Sequence, residues 1–246
     1  MPPFVKGWHI PQGVRIAFST RRDGVSTPPY ESLNLGLHVG DCEEKVLQNR
    51  ALIRERFELP NSPAWLEQTH STRVIVADNQ TVHDADGSYA EHPNQVCVVM
   101  TADCLPVLLC DRAGTEVAAV HAGWKGLCDG IIEVALEKFK SDSDELIAYL
   151  GPAIGADAFE VGEEVREMFI SVHPDCDIFF ISKASSDSTE KKYLADLQGL
   201  AKFRLNLAGV NEVYQADTCT FKNADNYFSY RRDNVTGRMA SFIWLV

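Results

Sequence analysis

One stretch, Met100–Lys125, constrains the fold of this chain more than any other. Two strand-like runs, Val107–Cys110 and Glu116–Val120, flank Gly114, and apolar runs separated by such a turn predict a β-hairpin. Thr101-Ala102-Asp103-Cys104-Leu105-Pro106 leads into the first run, and Val120-His121-Ala122-Gly123-Trp124-Lys125 leaves the second. Paired antiparallel, the two runs have their open ends together, which brings Cys104 and His121 within reach of one site. A thiolate near an imidazole makes either a metal site or a nucleophile–base pair.

Around this stretch the pattern alternates between helical and strand-like periods. Arg15–Ser19 reads as a strand leading into a Gly/Pro/Ser-rich loop that carries Arg21 and Asn34, a usual setting for ligand contacts. Asp41 followed by Glu44 has the form of a capping box, and Val46, Leu47, Leu52, Ile53 and Phe57 follow at helical spacing. His70 stands just before a short strand, Val74–Ala77, and Asp84, Asp86 and Gly87 read as a polar loop with His83 and His92 solvated nearby. Further helices are expected over Leu127–Lys140 and Val161–Val172, and from Leu194 to Ala208 with Gly209 as the cap. Strands are expected at Leu146–Leu150, Ile178–Ile181 and Val213–Gln215, and Lys183–Lys192 reads as a polar surface loop. Tyr227–Asp233 and Met239–Val246, separated by an Asn234–Gly237 turn, suggest a terminal hairpin whose last strand is apolar enough to be central. Helices mixed with antiparallel-capable strands indicate an α/β (α+β) architecture, and no linker or repeat divides residues 1–246, so one domain is expected.

Charge and cysteine content narrow the function. A net charge of −12 opposes nucleic-acid binding through phosphates, although a phosphorylated small molecule needs only a few local donors. No apolar run is long enough to span a bilayer and the N-terminus lacks the build of a signal peptide, so a cytoplasmic protein is expected. Seven dispersed cysteines then read as reduced thiols. With no heptads or long apolar patch, a monomer is expected.

His70, Cys104 and His121 offer two imidazoles and a thiolate, a donor set that suits zinc with a vacant fourth position. On spacing alone, a buried free cysteine with two unrelated histidines remains the alternative. The chain has no His-Glu-x-x-His, no deaminase pairing of His-x-Glu with Pro-Cys-x-x-Cys, no Gly-x-Ser-x-Gly and no Walker loop.

Several motifs together resemble the YfiH-type family, also labelled multicopper polyphenol oxidase or laccase-domain proteins. They are Ser19-Thr20-Arg21, Gly24-Val25-Ser26, Ser32-Leu33-Asn34-Leu35-Gly36, Glu67-Gln68-Thr69-His70 and Thr101–Pro106. His121–Gly126, Gly151-Pro152-Ala153-Ile154-Gly155, Asp217-Thr218-Cys219-Thr220 and Phe228-Ser229-Tyr230-Arg231-Arg232 complete the resemblance, which covers nearly the whole chain. It implies a layered α/β/β/α sandwich similar to the catalytic domain of cytotoxic necrotizing factor, with zinc held by His70, Cys104 and His121. It also implies phosphorolysis of adenosine, inosine and guanosine, with adenosine deaminase and methylthioadenosine phosphorylase activities. Lys125 stands where the family commonly has arginine, keeping a cation without the planar fork. Within that frame Arg21 and Arg231 are the expected phosphate donors and Asp103 a carboxylate that orients a ligand or moves a proton. Asn34, Cys219 and Ser229 are candidates for substrate contact. The competing functions are a metal-free amidase acting on a UDP-MurNAc precursor, with Cys104 as nucleophile and His121 as base, a copper-dependent oxidase, and a non-catalytic zinc module. Seven scattered histidines with no His-Cys-His cluster speak against the oxidase, though copper could occupy the same three ligands.

Overall fold

The computed structural model describes residues 3–183 and 191–246. The hairpin forms as expected: Leu105–Asp111 pairs antiparallel with Val117–Ala122, with Leu105 opposite Ala122 and Pro106 opposite His121. Successive side chains of a strand point to opposite faces, and both faces here are buried. Leu105, Val107, Leu109, Ala118 and Val120 enter a core shared with the helices Trp124–Asp129, Ile131–Leu136, Glu163–Val172 and Leu197–Leu207. Leu108, Cys110, Val117 and Ala119 face the other way, against Val14, Ile16, Val99 and Ile243. Two buried faces explain why these strands read as nearly unbroken apolar runs. Each fully buried Leu or Val contributes about 1.5–3 kcal/mol to holding the layers together.

The hairpin lies within a six-stranded mixed sheet, ordered Glu212–Gln215, Leu146–Leu150, Leu105–Asp111, Val117–Ala122, Gly87–Ala90, Val74–Val76. A second, three-stranded sheet places Met239–Leu245 between Val14–Phe18 and Val96–Thr101, all antiparallel. Its outer face, through Ala17, Val98, Phe242 and Trp244, packs on Ile53 of the helix Glu43–Arg56. The result is the α/β/β/α layering that the resemblance implies. No helix among the described residues is long and apolar enough to cross a membrane.

Several local expectations give way to longer-range contacts. Met239–Leu245 is central, but its partners are Val14–Phe18 and Val96–Thr101; the segment before it forms a helical turn, Tyr230–Asp233, capped by the Ser229 hydroxyl. The expected capping box is absent: Cys42 is the N-cap without a side-chain bond, and Asp41 instead accepts hydrogen bonds from Ser26 and Asn34. Leu47 is exposed, whereas Asn49 is fully buried on the helix's inner face and holds the loop carbonyls of Ser32 and Asn34. The Leu127–Lys140 segment is two short helices, because Gly130 adopts φ +100 between them. Val161 belongs to the strand Glu160–Gly162, with the helix starting at Glu163, and the strand expected at Ile178–Ile181 occupies Phe180–Lys183. Leu194 likewise lies in a strand, Lys192–Ala195, and Asp196 caps the next helix by accepting from the Gly199 amide. Residues 184–190 of the polar loop lie outside the described residues.

Candidate metal centre

The hairpin ends bring Cys104 and His121 together, and the loop before Val74–Val76 supplies His70. One ligand atom from each of the three lies within 4.8 Å of the others. Cys104 Sγ and His70 Nε2 are 3.8 Å apart. Tetrahedral zinc, with bonds of about 2.0–2.1 Å to nitrogen and 2.3 Å to sulfur, would set that separation near 3.6 Å. Gly123 makes the close approach feasible, since a Cβ there would meet His70 Cδ2 at 2.7 Å and Cys104 Sγ at 3.2 Å. His121 is buried, Cys104 half-buried and His70 exposed, so the cluster has an open side. Donor type, spacing and opening fit a three-ligand ion with a free position.

Asp86 organises the histidine half, although its polar surroundings in sequence suggest only a surface loop. It is fully buried, and its carboxylate accepts from the backbone amides of Thr69, His70 and Ser71, from the Ser71 hydroxyl, and from His121 Nδ1 at 2.7 Å. Those amides hold His70 at φ +60, a left-handed conformation uncommon for a side chain of its size. Binding Nδ1 leaves Nε2 of His121 for the sulfur or an ion, the arrangement by which carboxylates orient metal-binding imidazoles. Burial pushes the Asp86 pKa up, but the hydrogen bonds from His121 and Ser71 outweigh it and hold it down to about 2. Burial opposes charge on Cys104 and His121 as well. Their mutual attraction prevails, lowering the thiol pKa and raising that of the imidazole, with Asp86 assisting the latter. Both shifts favour a thiolate–imidazolium pair in the metal-free site, and a metal held there would displace a proton.

Asp103 organises the cysteine half. At φ +98 it turns the chain immediately before Cys104. Its carboxylate accepts from the Thr220 and Ser229 hydroxyls and the Arg231 amide, and its carbonyl accepts from the Ile154 amide. Thr220 and Ser229 are fully buried, so two distant segments meet at this one side chain and a third, at Ile154, holds the Asp103 carbonyl.

The cluster opens onto two cavities. The larger, about 460 Å³, is lined by His38, Gln68, Thr101, Tyr230 and Arg238 beside the three ligands. The smaller, about 190 Å³, shares His70, Cys104 and Tyr230 and is walled by Trp124, Ile154 and Phe159, with Arg231 at its side. A still larger hollow near Phe18, Arg56 and Asp217 shares none of these residues and holds no such ligand cluster.

The remaining sequence candidates are distributed unevenly. Arg231 reaches the smaller cavity, donating to the Glu160 carbonyl and lying over the Phe159 ring. Arg21 lines neither cavity; its guanidinium donates to the Glu31 and Ala224 carbonyls and sits over Phe228. Asn34 is buried and accepts from the Gly36 and Arg238 amides, so it shapes the loop beside Arg238. Cys219 Sγ accepts from the Gly155 amide, and Lys125 pairs with Asp129; neither borders a cavity at the cluster. Arg238, His38 and Asp86 are the residues that local sequence reasoning misses. Arg238 carries no motif signal beyond its position before an apolar strand, and Asp86 becomes visible only when His121 is paired against its strand.

Comparison with known proteins decides the family. The family model described as multi-copper polyphenol oxidoreductase laccase matches residues 15–246. The chain belongs to this YfiH family. It is 50% identical over 244 residues to the purine nucleoside phosphorylase YfiH of Shigella flexneri, covering 98% of each chain, and 49% identical over 244 residues to that of Escherichia coli, again covering 98% of each. Among solved structures, a Neisseria meningitidis protein superposes with a TM-score of 0.91 at 48% identity, covering 97% of this chain and 96% of its own. YlmD of Geobacillus stearothermophilus superposes with a TM-score of 0.86 at 27% identity, covering 100% and 94%. The YfiH fold is thus shared along essentially the full length.

Proposed function

We propose that the chain is a zinc-dependent purine nucleoside phosphorylase, acting as one monomeric catalytic domain in the cytoplasm on inosine, adenosine and guanosine. Adenosine deamination and methylthioadenosine phosphorolysis are its expected side activities. The observation that carries the reading is near-50% identity, across 98% of both chains, to proteins named purine nucleoside phosphorylase, together with a His70–Cys104–His121 cluster opening onto a cavity that holds Arg238. Bound zinc would supply Lewis acidity for polarising a substrate oxygen or acidifying a water. The chain's own residues do the rest. Arg238, in place of Arg21, is the cation placed to receive phosphate, by charge-assisted hydrogen bonds, while Arg231 flanks the smaller cavity. A phosphate oxygen attacks C1′ as the C1′–N9 bond breaks, the bond electrons leave with the purine, and the proton lost by phosphate ends on the base. Asp86 holds His121 in its working orientation, and Asp103 holds the Cys104 turn.

A copper oxidase is a poorer match to the donor set. His9, His83, His92 and His173 lie beside carboxylates elsewhere, so they do not extend the cluster towards a multicopper centre. The Asp86–His121–Cys104 order, with its depressed thiol pKa, favours a second reading as an amidase using Cys104 as nucleophile. Zinc-loaded protein given inosine and phosphate should produce hypoxanthine and ribose-1-phosphate in equal amounts, and only when phosphate is present. Absence of both products, with serine released from UDP-MurNAc-L-Ser by metal-free protein, would replace the phosphorylase by the amidase.

A further inference from the structure

The two cavities at the cluster differ in which rings and cations line them. They meet at His70, Cys104 and Tyr230, so one molecule can extend from one into the other past the ligands. The small arm has the aromatic and aliphatic wall: Trp124 is partly buried, and Ile154, Phe159 and Leu197 are buried. At about 190 Å³ it falls short of the roughly 300 Å³ at which pockets for whole drug-sized ligands begin, so it suits one planar ring system. Its cation, Arg231, lies over the Phe159 ring at 5.5 Å, extending a stacking surface. The large arm carries a different cation, Arg238. Arg238 uses Nη1 on the Thr236 and Gly237 carbonyls, while its Nε and Nη2 make no hydrogen bond among the described residues. His38 stands on the same wall. Partial burial, followed by the charge of Arg238, lowers its pKa, which favours a neutral ring offering one N–H donor.

We infer that the substrate cavity is bipartite, with the purine base stacked in the small arm against Trp124 and Phe159, phosphate held in the large arm by Arg238 and His38, and the ribose between them at the cluster. This rests on the phosphorylase reading for its substrates and adds an assignment of each half. It makes Phe159 and Trp124 base-specificity residues and Arg238 a phosphate-specificity residue.

Zinc-loaded full-length protein and the variants Arg238→Gln, Phe159→Leu and Trp124→Leu test the assignment. KM is measured separately for inosine and for phosphate, and hypoxanthine binding is measured alone by calorimetry. Arg238→Gln should raise the phosphate KM about 10–100-fold, the loss of charge-assisted hydrogen bonds, and leave hypoxanthine affinity unchanged. Phe159→Leu and Trp124→Leu should weaken hypoxanthine binding about 3–10-fold and leave the phosphate KM unchanged. Phe159 is buried, so Trp124→Leu carries the test if Phe159→Leu fails to fold. A reversed pattern, or equal losses for both ligands in every variant, overturns the assignment. Turnover by wild-type protein with hypoxanthine affinity untouched in Trp124→Leu also overturns it, while the phosphorylase reading stands. Hypoxanthine binding that is lost in Trp124→Leu, in a wild-type protein that turns nothing over, supports the base arm and sinks the reaction. Neither binding nor turnover sinks both.

Discussion

The two halves of the candidate metal centre are each built on a buried carboxylate, and the two carboxylates work differently. Asp86 touches a ligand directly, through His121 Nδ1, and gathers the amides that set the backbone of the other histidine. Asp103 is adjacent to Cys104 in sequence, yet its oxygens turn away to Thr220, Ser229 and the Arg231 amide. The histidine side is therefore tuned electrostatically, and the cysteine side is held mechanically by segments from the other end of the chain. The contrast separates two properties usually lost together when a site is damaged: the affinity of the ligands and the integrity of the fold around them.

The largest expected effect tests the mechanical half. Asp103→Ala strands two buried hydroxyls and an amide that donate to a carboxylate, so the unfolding free energy from urea titration should fall by an amount on the order of 3 kcal/mol or more. Asp103→Asn, which tolerates a positive φ but keeps only one acceptor oxygen, should recover part of that. If Asp103→Ala unfolds like wild type, the contrast fails.

A smaller effect tests the electrostatic half. Asp86→Asn should lower zinc affinity about 10–100-fold in competition with a chromophoric chelator. Its stability signature is distinct. An acid whose folded pKa is depressed to about 2 stabilises the fold above its ordinary value and loses that contribution as pH falls through about 2. The stability gap between wild type and Asp86→Asn should thus be about 2 kcal/mol near neutrality and narrow steadily below pH 4. A gap independent of pH would remove the charge from the account.

The smallest effect is a shift in a labelling profile. Metal-free protein should react with iodoacetamide at Cys104 at a rate that holds level down to about pH 6, where the thiolate is lost. An ordinary thiol already slows near pH 8.5. Peptide-resolved mass spectrometry separates Cys104 from the exposed Cys42. A midpoint at the ordinary thiol value in Asp86→Asn, but not in wild type, would place the tuning in the Asp86–His121 contact. The same midpoint in both would deny any tuning by His121.

What could be anticipated without coordinates was local or carried by motifs. The runs Val107–Cys110 and Glu116–Val120 predict the hairpin because apolar runs about a glycine turn have few alternatives, and the motif resemblance implies His70, Cys104 and His121 as one set. Arg21 and Asn34 look suited to ligands because they sit on a polar loop after a strand, but their partners are backbone groups of the loop and its neighbours and, for Asn34, the Asp41 carboxylate as well. Helical spacing overreached at Gly130, where one left-handed residue divides the pattern.

By itself, then, the order of residues determined which segments could bury two faces and where the chain must turn, and its motif resemblance singled out three side chains with donors for a soft ion. Tertiary structure alone decided that Met239–Leu245 pairs with strands from the first and second quarters of the chain, that Asp86 lies behind His121, and that Arg238 rather than Arg21 faces the cluster. The reason is register. A strand's partners are chosen by cooperative packing of whole faces, and sliding a strand by one residue exchanges every side chain between core and site. No window of local sequence contains that choice.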